Sequence, residues 1–246
     1  MKRAPFLFVL ILSCSSALAW APETRVRITD QAVRLMPESL RLALDTHRRP
    51  LLSGMLEPLV EEDGTEHLPA GAGGTVEAAA RQAAADLADA LTHPTPFDEI
   101  ARRFGRLAHF VADAGFPPSH GADAGADSRY RHFGPFCDSR LGRIPLVFYG
   151  YADDDLDRGD FETFVTRIAA TAGAHDEDLA RAYAAAGDPP DPSAFDDRSV
   201  PFAVCSLSYS QTVTHVAQTW LSAWRTAEGD VRRTPYAGTA KPAGGE

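Results

Sequence analysis

Apolar residues recur along most of the chain at intervals of three and four, the spacing of an amphipathic helix. Ile28, Ala32, Leu35, Met36, Leu40 and Leu44 predict one helix over 28–44. The Ala-rich run Thr75–Leu91 predicts a second, with Thr75 as its cap. Ile100, Phe104, Leu107, Ala108 and Val111 form one stripe over Asp98–Ala114, which Pro117-Pro118 ends. Tyr130–Leu141 predicts a short helix interrupted at Gly134-Pro135, and Phe161–Ala172 and Glu177–Ala186 predict two more. Pro201–Glu228 is the longest pattern and carries Leu207, Val213, Val216, Trp220, Leu221 and Trp224.

Between these lie segments that read as loops: Pro50–Gly74, rich in Pro, Gly and acid, the Gly/Ala/Asp stretch His120–Asp127, and Pro189–Arg198. Ile144–Tyr149 is the one strand-like run, and it is too isolated to build a sheet. No βαβ alternation and no internal repeat occurs. The expected fold class is all-α, a single domain over 20–232 with a flexible tail over 233–246.

The first nineteen residues read differently. Lys2 and Arg3 precede an apolar run, Phe6–Leu12, and Ala17-Leu18-Ala19 supplies a small-x-small cleavage site, the layout of a secretory signal peptide. We expect cleavage after Ala19 and a secreted or periplasmic mature chain. Ile11-Leu12-Ser13 is a poor approach to a lipoprotein site at Cys14. The remaining thiols, Cys137 and Cys205, are free to pair or not in an oxidising compartment.

Composition narrows the function. The chain has 246 residues, a net charge of −10 and 44% hydrophobic residues. Loss of Lys2 and Arg3 with the leader moves the charge to −12. Such a balance opposes stable binding to duplex nucleic acid, which needs basic patches. Metal ions supply the positive charge where an anionic substrate must enter.

The informative segment is Gly105-Arg-Leu-Ala-His109-Phe-Val-Ala-Asp113-Ala-Gly-Phe-Pro-Pro-Ser-His120. His109 and Asp113 lie four apart on a predicted helix and project from one face, so an imidazole and a carboxylate can share a cation. His120 follows just past the helix end, and Glu66-His67 sits in the acidic loop. Neutral imidazole and carboxylate suit zinc. Cleavage after Ala19 makes Trp20 the first residue, whose amine and carbonyl oxygen form a chelating pair; its other reading is an aromatic anchor on the core.

On these residues the chain resembles the zinc-dependent phospholipase C / S1–P1 nuclease superfamily. Trp20 after the leader, Glu66-His67, Leu107-Ala-His109-Phe-Val-Ala-Asp113 and Pro118-Ser-His120 carry the likeness, with weaker support from Arg143–Gly150 and the helix Ser206–Arg225. The resemblance implies an exported all-helical phosphodiester hydrolase with up to three zinc ions, acting on phospholipid or nucleic acid, with peripheral membrane contact. It implies that Asp113 bridges two ions and takes part in catalysis. His67 and His109 complete one site, Trp20 chelates the second ion, and His120 belongs to the third.

The departures are specific. Arg25 stands where the family has a histidine, Leu59 where it has an aspartate, and neither Asp127 with Arg131 nor Tyr130 with Gly134 supplies the last histidine–acid pair. Asp63, or His120, Asp123, Asp127 and His132, are the residues from which missing sites would be rebuilt. A permanent cation at 25 repels a metal; it either pairs with Asp113 in place of a lost ion or holds a substrate phosphate. The first is the preferred role. Phe110, Phe116, Tyr130 and Phe133 line a pocket or fill the core. The alternative to a hydrolase is a degenerate relative that keeps the fold and at most one metal and acts as a binding protein.

Overall fold

A computed structural model describes residues 19–61, 64–120, 126–187 and 194–237. Among them the architecture is all-helical, in one multi-helix domain without strands. The helices are α1 (Pro22–Arg34), α2 (Glu38–Thr46), α3 (Arg48–Leu56), α4 (Pro58–Glu61), α5 (Val76–Thr92), α6 (Phe97–Ala114), α7 (Ala126–Arg140), α8 (Asp154–Asp157), α9 (Phe161–Gly173), α10 (Asp176–Ala186) and α11 (Val200–Thr226). Short 3-10 turns cover Gly64–His67, Ala70–Ala72, Pro117–His120 and Leu141–Arg143. None of the described helices is long and apolar enough to cross a membrane.

α6 is the axis. Its first half shows the expected stripe, but every residue from Leu107 to Ala114 is buried, so the helix enters the core and is covered on all sides. α3, α5, α9 and α11 pack around it, and α1 lies along α11. Trp220 of α11 meets Phe104 of α6 edge to face at 5.6 Å and donates its indole N–H to the Phe104 carbonyl at 3.0 Å. Cys137 of α7 and Cys205 of α11 are joined by a disulfide, with Cα atoms 5.8 Å apart.

Four expectations need correction. The helix expected over 28–44 is two, because Pro37 disfavours helical backbone at Met36 and caps α2 instead. The segment 50–74 is not one loop. It holds α3, α4 and two 3-10 turns, since Pro50 sits in the first turn of α3, where no N–H bond is lost. Pro135 does not interrupt α7, which runs through it at the loss of one rung. The Thr75 side chain makes no capping bond to α5. The proposed leader lies outside the described residues except for Ala19, as does the tail beyond 237.

α3 and α6 approach unusually closely, and two glycines permit it. A Cβ on Gly54 would stand 1.8 Å from the Arg102 carbonyl oxygen, and one on Gly105 would stand 2.0 Å from that of Leu51. The contact brings the C-terminal end of α3 against the buried half of α6.

Candidate metal centre

His109 and Asp113 occupy adjacent turns of the buried half of α6, and both side chains are wholly inaccessible. The 3-10 turn Gly64–His67 brings His67 over them. That turn is clipped to the start of α5 by Thr75 N–H to Thr65 O at 2.9 Å and Val76 N–H to Leu68 O at 3.0 Å. His67 keeps 14% of its side chain exposed, and so forms the rim of the cluster. Its ring stacks on Phe110, with centroids 6.3 Å apart.

Three atoms converge. His67 Nδ1 lies 2.8 Å from Asp113 Oδ2, His109 Nε2 lies 3.0 Å from the same oxygen, and the two nitrogens are 3.1 Å apart. Among the described residues this trio has the spacing and ligand types of a metal site. Zinc at ~2.0–2.1 Å from tetrahedral ligands sets ligand–ligand edges of roughly 3.3 Å, so the triangle needs to open by a few tenths of an ångström.

The outer ring nitrogens define the tautomers. His109 Nδ1 is 2.8 Å from the Met55 carbonyl of α3, which can only accept; the proton therefore sits on Nδ1 and Nε2 keeps a bare lone pair. The Pro58 carbonyl bonds to His67, and with Nδ1 turned toward Asp113 the nitrogen left for it is Nε2. Backbone carbonyls behind both imidazoles thus aim two lone pairs at one carboxylate oxygen, the support that metal-binding histidines commonly have. Three acceptors so close require one positive centre between them, a proton or a metal ion.

The electrostatics agree. Burial, then the charge of Arg25, lowers the His109 pKa and keeps the ring neutral. Burial opposes ionisation of Asp113, yet Arg25, then His109 and His67, hold its carboxyl far below the usual carboxylate range. At His67 burial lowers the pKa, but the hydrogen bond and charge of Asp113 outweigh it and raise the value. Without a metal, these shifts favour a proton on His67 Nδ1, held in a hydrogen bond to the ionised Asp113.

The remaining Asp113 oxygen is engaged elsewhere. Oδ1 accepts from Nη2 of Arg25, whose side chain is fully buried. Nε of the same guanidinium donates to the Trp20 carbonyl at 2.9 Å, and Nη1 stands 3.2 Å from His109 Nδ1. Trp20 is itself buried. Its indole N–H donates to the Ala112 carbonyl at 3.0 Å, and its ring meets Phe116 edge to face at 5.2 Å. Trp20 therefore reaches the cluster through Arg25, its carbonyl turned to the guanidinium, and it is also the aromatic anchor.

The other candidates divide. The side chains of His120, Asp123, Asp127 and Asp63 lie outside the described residues. His132 is not drawn in: its Nδ1 meets the Tyr183 hydroxyl at 2.7 Å among Phe136 and Phe195. Tyr130 lies beside the cluster, where burial and then the Asp113 charge push its hydroxyl pKa up. Met55 and Pro58 act through backbone carbonyls, which leave no mark on residue type, and sequence reasoning missed them.

A comparison with protein-family models finds no match, nor does one with curated proteins or one with solved structures.

Proposed function

We propose that the protein is an exported, zinc-dependent hydrolase of phosphate esters, a divergent relative of the phospholipase C / S1–P1 nuclease superfamily that keeps one cation site of three. The observation that carries this reading is the convergence of His67 Nδ1, His109 Nε2 and Asp113 Oδ2 with both tautomers defined from behind. Two imidazoles and a carboxylate, with water in the fourth position, are the donor set of catalytic rather than structural zinc. When bound, the ion polarises a phosphate ester and activates water for attack.

The chain's own residues do the rest. Asp113 Oδ2 and the two imidazoles hold the ion, while Arg25 ties down Oδ1 and leaves the carboxylate a single free oxygen. The partly exposed edge of His67 is the direction from which a phosphate ester of phospholipid or nucleic acid approaches. Arg25 is too deeply buried to touch that phosphate, which favours its structural role. Export draws support from the leader-like first nineteen residues and from the Cys137–Cys205 pairing.

One observation favours the second reading, a catalytically inactive relative that serves as a binding protein. The guanidinium already neutralises Asp113 and fills the space against the Trp20 carbonyl, so a pair of ions ~3.5–4 Å apart has no room there.

The test is to export the chain from a bacterial host, measure zinc per chain, and assay bis-(p-nitrophenyl) phosphate and a short-chain phosphatidylcholine with and without chelator. One zinc with chelator-sensitive turnover, both lost in Asp113→Asn, is the expected result. One zinc without turnover selects the binding protein. No zinc at all removes the metal-dependent reading.

A further inference from the structure

The run Ile144–Tyr149, strand-like in sequence, has no strand beside it among the described residues. It lies along α11. Val147 N–H donates to Ser210 Oγ at 3.2 Å and Tyr149 N–H to Thr214 Oγ1 at 3.3 Å. Two extended residues span ~6.6 Å and one helical turn ~5.4 Å, so hydroxyls four apart on a helix match N–H groups two apart on an extended chain. The helix thus imitates a neighbouring strand along one edge.

The other edge is open. Alternate residues of an extended chain turn their N–H and C=O groups to opposite sides. The N–H groups of Leu146 and Phe148 therefore point away from α11 and find no acceptor among the described residues, while the two side chains pack against the core. Exposed edges of this kind accept added strands.

A groove of about 800 Å³ runs beside this segment, lined by Leu146, Phe148, Tyr151 and Tyr236. The Phe148 ring centroid is 4.6 Å from that of Tyr151 and 6.0 Å from that of Tyr236. Among the lining residues, Tyr149 and Tyr236 are 55% and 64% exposed. Arg225 and Asp157 also line the groove, and neither forms an ion pair among the described residues.

We infer that this edge takes up an extended peptide segment of another protein. The segment is added as a strand on Leu146 and Phe148, sets an apolar side chain among the aromatic rings, and places an acidic group at Arg225. A free ladder edge beside an aromatic groove is the arrangement by which strand-addition domains read peptides: the backbone supplies affinity and the pocket selects alternate side chains. A small aromatic ligand would use the groove and leave the edge unused, so the two occupants are separable. The inference is independent of the metal centre.

The experiment pans a phage library of random dodecapeptides on the full chain. The best enriched peptide is synthesised, its binding is followed by fluorescence anisotropy, and amide exchange is followed by NMR. Enriched peptides alternate apolar residues and carry an acid. The Leu146 and Phe148 amides, fast in the free chain, become protected on binding, whereas those of Val147 and Tyr149 are protected throughout. Methylating alternate peptide nitrogens weakens binding about tenfold or more. Leu146→Pro, which removes an open N–H and spares the bonds to α11, does the same, and so does Arg225→Glu on the exposed rim. Failure to enrich any peptide overturns the proposal. So does binding indifferent to N-methylation and to Arg225→Glu, which marks a small-ligand groove, and so does protection of Leu146 and Phe148 before peptide is added.

Discussion

The guanidinium of Arg25 is hydrogen-bonded to Oδ1 of Asp113, and neither side chain has any exposed surface. A lone charge so deeply buried is costly; the pair is tolerated because each member is also bonded elsewhere, Arg25 to the Trp20 carbonyl and Asp113 to two imidazoles. The start of α1 and the C-terminal end of α6 are joined there. Asp113 divides its two oxygens between a fixed organic cation and the triangle of His67 and His109.

That division predicts strongly non-additive mutations. In the presence of chelator, Arg25→Met alone and Asp113→Leu alone should each cost about 3–5 kcal/mol, because each leaves an uncompensated buried charge. The double variant should cost much less than the sum of the two. Urea denaturation of the four proteins measures the coupling; additive losses would show that the pair is not the unit described.

The glycines at the α3–α6 contact are expected to be as sensitive as the ligands. A methyl group at Gly54 or Gly105 collides with a backbone carbonyl of the facing helix, so the helices must separate. Gly54→Ala and Gly105→Ala should each destabilise by roughly 2–3 kcal/mol or more. Both should also weaken zinc binding, since separation draws the Met55 carbonyl off His109. Gly142→Ala, where nothing lies within 4 Å, is the control and should change stability by less than about 0.5 kcal/mol.

The same contact explains what the sequence reveals and what it hides. α6 is legible because Ile100, Phe104, Leu107 and Val111 keep helical spacing, and that spacing puts His109 and Asp113 on one face. α5, α9, α10 and α11 are legible for the same reason. α3 is not: Pro50 and Gly54 read as loop residues, yet one stands where the helix loses no bond and the other is what allows contact with α6. Arg25 reads as a departure from a metal ligand. Its preferred role, pairing with Asp113, is what the structure shows, whereas its bond to the Trp20 carbonyl leaves no mark on residue type and is not legible in the sequence.

The disulfide should contribute to stability by an amount that grows with the logarithm of the length of the loop it closes. Cys137 and Cys205 are 68 residues apart, for which the chain-entropy model gives about 4 kcal/mol. Asp138, next to Cys137, accepts a hydrogen bond from Thr24 of α1 at 2.9 Å, so loosening α7 also loosens the helix that carries Arg25. Replacing both cysteines by alanine should lower the urea midpoint, and adding reductant to the native chain should reproduce the loss. A midpoint insensitive to reductant would count against a bridge in the folded protein.

His215 of α11 gives the chain a pH-dependent stability whose sign is fixed. Burial, with a smaller contribution from Arg167, pushes its pKa down to about 4. The ring lies edge to face against Phe164 at 5.8 Å, and its Nδ1 has no hydrogen-bond partner. In the unfolded chain the imidazole takes a proton near pH 6.5. Between there and about pH 4 the unfolded state binds a proton that the folded state refuses, so stability falls as the pH falls through that window. The full loss has a ceiling of about 3 kcal/mol at 1.36 kcal/mol per pKa unit. Asp113 adds acid sensitivity of the same sign, but its pKa is also depressed, so its contribution disappears only below the normal carboxylate range. His215→Leu should therefore flatten the stability profile between pH 6.5 and 4, leave the steeper acid limb in place, and cost little at pH 7, where the native ring is already neutral. Urea midpoints at half-unit pH steps for the two proteins measure this, and parallel profiles through the window would show that His215 is hydrated and titrates normally.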